Sequence, residues 1–214
     1  MSKTLRILMA ALVAGVTGVS GITTLIGAIG AGATPAAAAA SVPASGALIF
    51  DVLRKGRDIG DYAIRFQPQG DVLTVQLKTD VAVRFLGIPA YVFTQDSTET
   101  WKDGRLISLR AVTNDNGQRH DIRLGASDVL PASLWNAAIV KARRALNTID
   151  GHEMAIRVAR IGDERVDTGH GPVAATHYRL SGDLARDLWF AADGTLVKVA
   201  FVGDDGSAIA YRLR

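Results

Sequence analysis

The sequence predicts a mainly β (α+β) domain: a strongly curved antiparallel sheet, or incomplete barrel, wrapped around one amphipathic helix at about 133–149. Three observations carry this expectation. Apolar and polar residues alternate with period two through most of the chain after residue 47, the mark of half-buried strands. Asp-Gly and Asn-Gly pairs punctuate the runs, and such pairs suit tight hairpins because both central positions accept positive φ. Only the stretch 130–151, LPASLWNAAIVKARRALNTIDG, repeats its apolar residues at helical spacing.

The strands come first. ALIFDVLR, the turn-rich KGRDIG and DYAIRFQ read as a hairpin, with Tyr62, Ile64 and Phe66 on one face. After the turn at 68–71, Leu73, Val75 and Leu77 face inward. VAVRFLGIPAYVFTQDSTETW follows, too long for one straight strand. Gly87 and Pro89 are expected to break or bend it. Around that bend lie Phe85, Leu86, Ile88, Tyr91 and Phe93, either a curved core strand or the lip of an apolar pocket.

On a helical wheel Leu134, Trp135, Ala138, Ile139, Ala142, Ala145, Leu146 and Ile149 share one sector. Asn136, Lys141, Arg143, Arg144 and Asn147 fall opposite. Ser133 is the expected N-cap and Gly151 the stop. Trp135 would dock this helix on the sheet, or wall a cavity beneath it.

Two segments flanking the helix resemble each other, 101–124 and 189–213. Each has a Trp, an Asp-Gly turn, a strand, an Asn-Gly or Asp-Gly turn, and a strand ending Arg-Leu. Counted from the first Gly, Ile107 and Leu109 match Val197 and Val199, and both units read as three-stranded meanders with matching inward faces. His120 then takes an inward position. Beyond the helix, 152–160 is a strand with Ile156 and Val158 inward. Turns are expected at 161–164 and 169–172, and Tyr178 and Leu180 on the return strand face inward.

Residues 1–44 read as a signal peptide, with cleavage near 40 or 44 and a single antiparallel β domain over 45–214. Lys3 and Arg6 form a basic start, and no charge follows until Asp51. Ala38-Ala39-Ala40 and Val42-Pro43-Ala44 offer small residues for a peptidase. The domain is thus expected to be periplasmic or secreted. The alternative is an uncleaved anchor in the inner membrane, since residues 7–33 are long enough to span it. In that case membrane contact comes only through the leader.

The formal charge of +3 falls to about +1 without Lys3 and Arg6, 22 Lys and Arg against 21 Asp and Glu. A near-neutral domain carries no electrostatic footprint for nucleic acid. With no cysteine, disulfides, thiol nucleophiles and Cys-ligated zinc are excluded. No histidine pair has the i, i+4 spacing of a zinc protease helix, so no metal, cofactor or catalytic residue is assigned. The acid pairs Asp96 with Glu99 and Asp163 with Glu164 read as solvated.

The segments FDVLRKGRDIGDYAIRF, FLGIPAYVF, STETWKDGRLISL, SLWNAAIV and YRLSGDLARDLWFAADGTLVKVAF resemble an uncharacterised family of exported bacterial proteins, domain of unknown function six-one-three-four. The resemblance covers most of the chain after the leader and implies no known activity. More distantly, the plan is similar to periplasmic lipoprotein-carrier proteins, which wrap a curved sheet around a helical lid and hold acyl chains. The leading expectation is therefore a non-enzymatic carrier of an apolar ligand, a lipid or acyl chain. Its lining would be Phe85, Ile88, Tyr91, Phe93, Trp101, Trp135, Ile139 and Trp189. A structural or protein-interaction domain of the cell envelope with a solid core is the alternative. A hydrolase using His120 or His177 comes third.

Overall fold

The computed structural model describes residues 42–214; the leader, and with it the expected cleavage near 40, lies outside them. The chain forms one open, curved sheet of 13 strands in the order β6-β5-β4-β3-β2-β1-β13-β12-β11-β10-β9-β8-β7. β1 (Ala47–Arg54), β2 (Arg57–Gln69), β3 (Val72–Phe85), β4 (Ile88–Lys102), β5 (Arg105–Asp115) and β6 (Gln118–Leu124) walk from the centre of the sheet to one edge. A crossing segment then carries the chain to the other edge. There β7 (Leu130–Pro131) pairs in parallel with β8 (Arg144–Leu146). β9 (Glu153–Thr168), β10 (Gly171–Gly182), β11 (Arg186–Ala191), β12 (Leu196–Val202) and β13 (Ala208–Leu213) walk back, and β13 docks antiparallel on β1.

The alternation read from the sequence sets the inner face. Phe50 and Val52, Tyr62 and Ile64, Val75 and Leu77, and Tyr91 and Phe93 all enter one core. Four hairpins use the same two-residue turn, Lys55-Gly56, Leu86-Gly87, Asp103-Gly104 and Asn116-Gly117, each with φ near +50° at its first residue. Positive φ at both central positions gives the turn a twist that matches the flanking strands. So FLGIP is no bend within a strand. It reverses the chain completely, and the expected curved core strand is the β3–β4 hairpin.

The expected helix is absent. Between Leu130 and Gly151 the chain is an extended strap with one short 3₁₀ turn, Ala137–Lys141. Ser133 is not its cap; that place belongs to Asn136, whose side chain accepts from Ala138 N–H. Three local features stop an α-helix. Leu134 adopts φ +65°, Asn136 and Asn147 bond their own nearby backbone, and Ala142 is already extended. Asn side chains that satisfy the backbone locally compete with helical bonding. β8 meanwhile takes its backbone partners from β9, so sheet pairing overrides weak helix propensity. The apolar residues placed on the helix face still reach the core: Leu134, Trp135, Ile139, Ala145, Leu146 and Ile149 are buried. But Ala145, Leu146 and Asn147 are buried in succession, which no helix face permits.

The internal repeat survives, with a correction. β4–β6 and β11–β13 are both three-stranded meanders. Each carries a β-bulge at the matched residue: Thr100 and Trp101 face Ser108 and Leu106, skipping Ile107, while Trp189 and Phe190 face Lys198 and Leu196, skipping Val197. The bulge turns Ile107 out of the main core instead of inward, and Val197 joins a small second cluster with Val166, Ala175 and Trp189. The turn expected at 161–164 is likewise a bulge inside the long strand β9, where Ile161 has no partner opposite.

Candidate functional site

The eight residues expected to line a pocket do not share one, although Trp101 and Trp135 both border an open groove beside Val42 and Leu73. Tyr91, Phe93, Trp101, Trp135 and Ile139 are buried in the main core. Trp189 belongs to the second cluster. Phe85 and Ile88 sit on the β3–β4 hairpin, 71% and 70% exposed, with Leu86 between them at 87%. Hairpin geometry explains the split, because a complete reversal at Leu86-Gly87 leaves its flanks without a packing surface.

A cleft of about 70 Å³ does lie between strap and sheet. Of the expected residues only Phe93 reaches it. Tyr62, Thr79, Gln95, Ser97, Arg186 and Tyr211 give it a polar side, and Leu77, Leu134, Ile149 and Phe201 an apolar one. Tethers hold the strap over it: Tyr62 Oη donates to Ser133 O at 2.8 Å, and Gln95 Nε2 to Thr148 O at 3.1 Å. The Arg186 guanidinium lies 3.9 Å from the centre of the Phe201 ring and donates to Ala185 O. Burial lowers its pKa to about 10. Burial, with Glu99 and Tyr211 nearby, pushes the Tyr62 phenol well up, so it stays a neutral donor.

The strap's deepest anchor is a carboxyl group that the sequence reading placed in solvent. Glu99 is 0% exposed, and its Oε2 accepts from both Trp101 Nε1 (3.0 Å) and Trp135 Nε1 (2.9 Å). The two indoles meet edge to face at 5.5 Å. Oε1 is buried without a well-formed hydrogen bond. Burial raises the Glu99 pKa, against the lowering pull of Trp135, Ser133 and Trp101. Strand parity was the available signal: Glu99 lies on the same face of β4 as Tyr91, Phe93 and Trp101.

Of the histidines, His120 is half-buried on the edge strand β6, on the inward side of that strand with Ile122 and Leu124. His177 stacks on Trp189 at 4.2 Å in the second cluster, with Nε2 2.7 Å from Asp187 and Nδ1 3.2 Å from Glu164. Glu164, solvent-exposed as expected, also accepts from Trp189 Nε1. Lys198 covers the other side of the assembly, 4.3 Å from the Trp189 ring. Each ring nitrogen of His177 thus has a carboxylate within reach, which fixes the ring between β9 and β11. Among the described residues, no group of three or more His, Asp or Glu is placed to hold a metal ion.

A family model, Domain of unknown function (DUF6134), matches residues 50–214. The chain belongs to this family. The match runs from Phe50, inside β1, to the last residue, so it takes in nearly the whole sheet, the strap and the exposed hairpin. No curated protein and no solved structure matches the chain.

Proposed function

We propose that this DUF6134 domain is a non-enzymatic interaction domain of the cell envelope that works through its surface, its interior being a solid core. The contrast between that interior and the β3–β4 hairpin carries the reading. The space under the strap, about 70 Å³, is far below the roughly 300–1,000 Å³ of ordinary ligand pockets. Lifting the strap would expose Leu134, Trp135, Ile139, Leu146 and Ile149. At roughly 1.5–3 kcal/mol for each large apolar side chain, that costs on the order of 10 kcal/mol. Such a cost rivals the whole stability of a small domain, about 5–15 kcal/mol. At the β3–β4 hairpin Phe85, Leu86 and Ile88 stand exposed together, with nothing among the described residues covering them. Export rests on the leader, whose basic start and charge-free apolar run suit delivery to the periplasmic side.

A second reading, carriage of a lipid or acyl chain, draws support from the cleft's place under a strap held by few polar tethers. An acyl chain of 16 carbons releases about 0.8 kcal/mol per buried CH₂, enough in principle to displace the strap. Solvent extraction of the full chain purified from its native host, followed by mass spectrometry, separates the two. The surface reading expects no lipid in stoichiometric amount. One lipid per chain would replace it with the carrier reading.

A further inference from the structure

We infer that the β3–β4 hairpin is a membrane-entering tip, and that the surface partner of this domain is a lipid bilayer. The inference rests on the reading above and names its partner.

Four hairpins of this sheet use the same turn, and three fill its first position with Lys55, Asp103 or Asn116. All three are at home in solvent, and Asn and Asp tolerate positive φ well. The fourth turn places Leu86 there, at φ +51°. A leucine in the left-handed region is strained. Here no packing offsets the strain, because Leu86 is 87% exposed. Phe85 and Ile88 flank it at 71% and 70%. A strained, solvated leucine between two solvated apolar neighbours makes sense only if another apolar phase receives it.

The size of the tip selects that phase. Its three side chains offer roughly 400 Å² of apolar surface, given about 150–250 Å² for a buried ring. A standard protein interface takes about 800 Å² from each partner, over a broad and complementary surface. A narrow, protruding hairpin falls well short of this. A bilayer needs no complementary shape, only an apolar wedge and flanking cations. Arg84 adjoins the wedge, and Lys55 and Arg57 bracket the neighbouring β1–β2 turn at the same end of the sheet. Among the described residues none of these three cations takes part in an ion pair within 4 Å.

The tip also lies far from the point where the described chain begins. Val42, where the described chain begins, lies beside Gly70 and Gly104, at the other end of β3. β3 has 14 residues, which at about 3.3 Å each puts roughly 45 Å between the two ends.

The chain has no cysteine, so a single Ile88→Cys substitution carries an environment-sensitive fluorophore without interference. Asp103→Cys, on the opposite end, is the control. The full chain is mixed with a large excess of vesicles of phosphatidylcholine and phosphatidylglycerol, so that the tip can meet a bilayer wherever the leader goes. The expected result is a blue shift at residue 88 and quenching by lipid-borne quenchers, with the label at 103 unchanged. Leu86→Asn added to the labelled chain should weaken this response about tenfold while the fold persists. A label at 88 that stays water-like, even on protein that pellets with the vesicles, overturns the inference. So does protection from iodide that grows with protein concentration in the absence of lipid, which would make the occupant a second copy. In either event, a chain that also yields no extractable lipid leaves the surface reading standing. One tightly held lipid per chain removes that reading instead.

Discussion

Replacing Glu99 probes whether the strap is held by a neutral carboxyl group. Glu99→Ala removes the acceptor shared by Trp101 and Trp135 and leaves two indole N–H groups buried. Each orphaned donor costs about 1–3 kcal/mol, and the lost side-chain volume adds more, so the variant should lose roughly 3–5 kcal/mol. Glu99→Gln keeps an oxygen in the same place and should lose far less. The two variants also differ with pH. Because burial raises the Glu99 pKa in the folded chain, that state holds its proton longer than the unfolded chain, whose value is about 4.3. The group's contribution is fully present below about pH 4.3 and is lost as pH rises toward the folded value, about 1.4 kcal/mol for each pH unit between the two. Glu99→Gln has no such slope, so it should gain on the wild type as the solution moves from about pH 4 to about pH 8. Denaturant midpoints read by tryptophan fluorescence measure both effects, since two of the three tryptophans touch this carboxyl. Parallel pH curves for wild type and Glu99→Gln, or equal losses for the Gln and Ala variants, would refute the neutral anchor.

Three other substitutions read out the frame. Gly60 has φ +145°, and a Cβ there would lie 1.9 Å from Asp80 O. Gly60→Ala should cost about 3 kcal/mol or more, whereas Gly70→Ala, at positive φ in open space, should cost about 1 kcal/mol; thermal midpoints of the pair decide it. Leu86→Asn should raise stability by about 0.5–1 kcal/mol, because Asn tolerates the left-handed region that strains leucine, and a lower melting point would contradict that. Burial acts to raise the Asp205 pKa, but hydrogen bonds from Arg54 and Ser207 overcome it and hold the group at about 2. Its stabilisation, about 1–2 kcal/mol after discounting for solvent, is present above the unfolded value near 3.9 and lost as pH falls toward 2. Asp205→Asn should therefore unfold no more readily in acid than the wild type does, but earlier at neutral pH.

The sheet was legible because burial on one face writes itself into the chain as alternation. Tyr62, Ile64 and Phe66 or Val75 and Leu77 need no tertiary knowledge to be placed. The repeat was legible for the same reason, down to the matched turns. Its bulges were not, since one skipped residue flips Ile107 without changing its own residue type. The strap misled because Trp135, Ile139, Leu146 and Ile149 fit a helical period by their spacing. What decides the backbone there is the open edge of β9 and two asparagines that bond locally, and the first of these is a long-range fact. Glu99 was misread by residue type, although its parity on β4 marked it as inward. The apolar run at 85–93 was visible at once. Whether it would be core or tip hung on the two-residue turn at Leu86-Gly87, where leucine gives no turn signal of its own.

The pairing of β1 with β13 has a consequence for how the molecule is made. Every other antiparallel neighbour in the long sheet is also a neighbour in sequence, so each meander can zip from its own hairpins as soon as they emerge. The seam from Phe50↔Leu213 to Arg54↔Ile209 is different. It joins β1 to β13, and it can form only once both strands are available. Until then β1 offers a bare edge in the middle of what will become the sheet. A growing chain thus carries β1 with one bare edge until β13 has been made, and a variant without β13 would leave that edge exposed permanently.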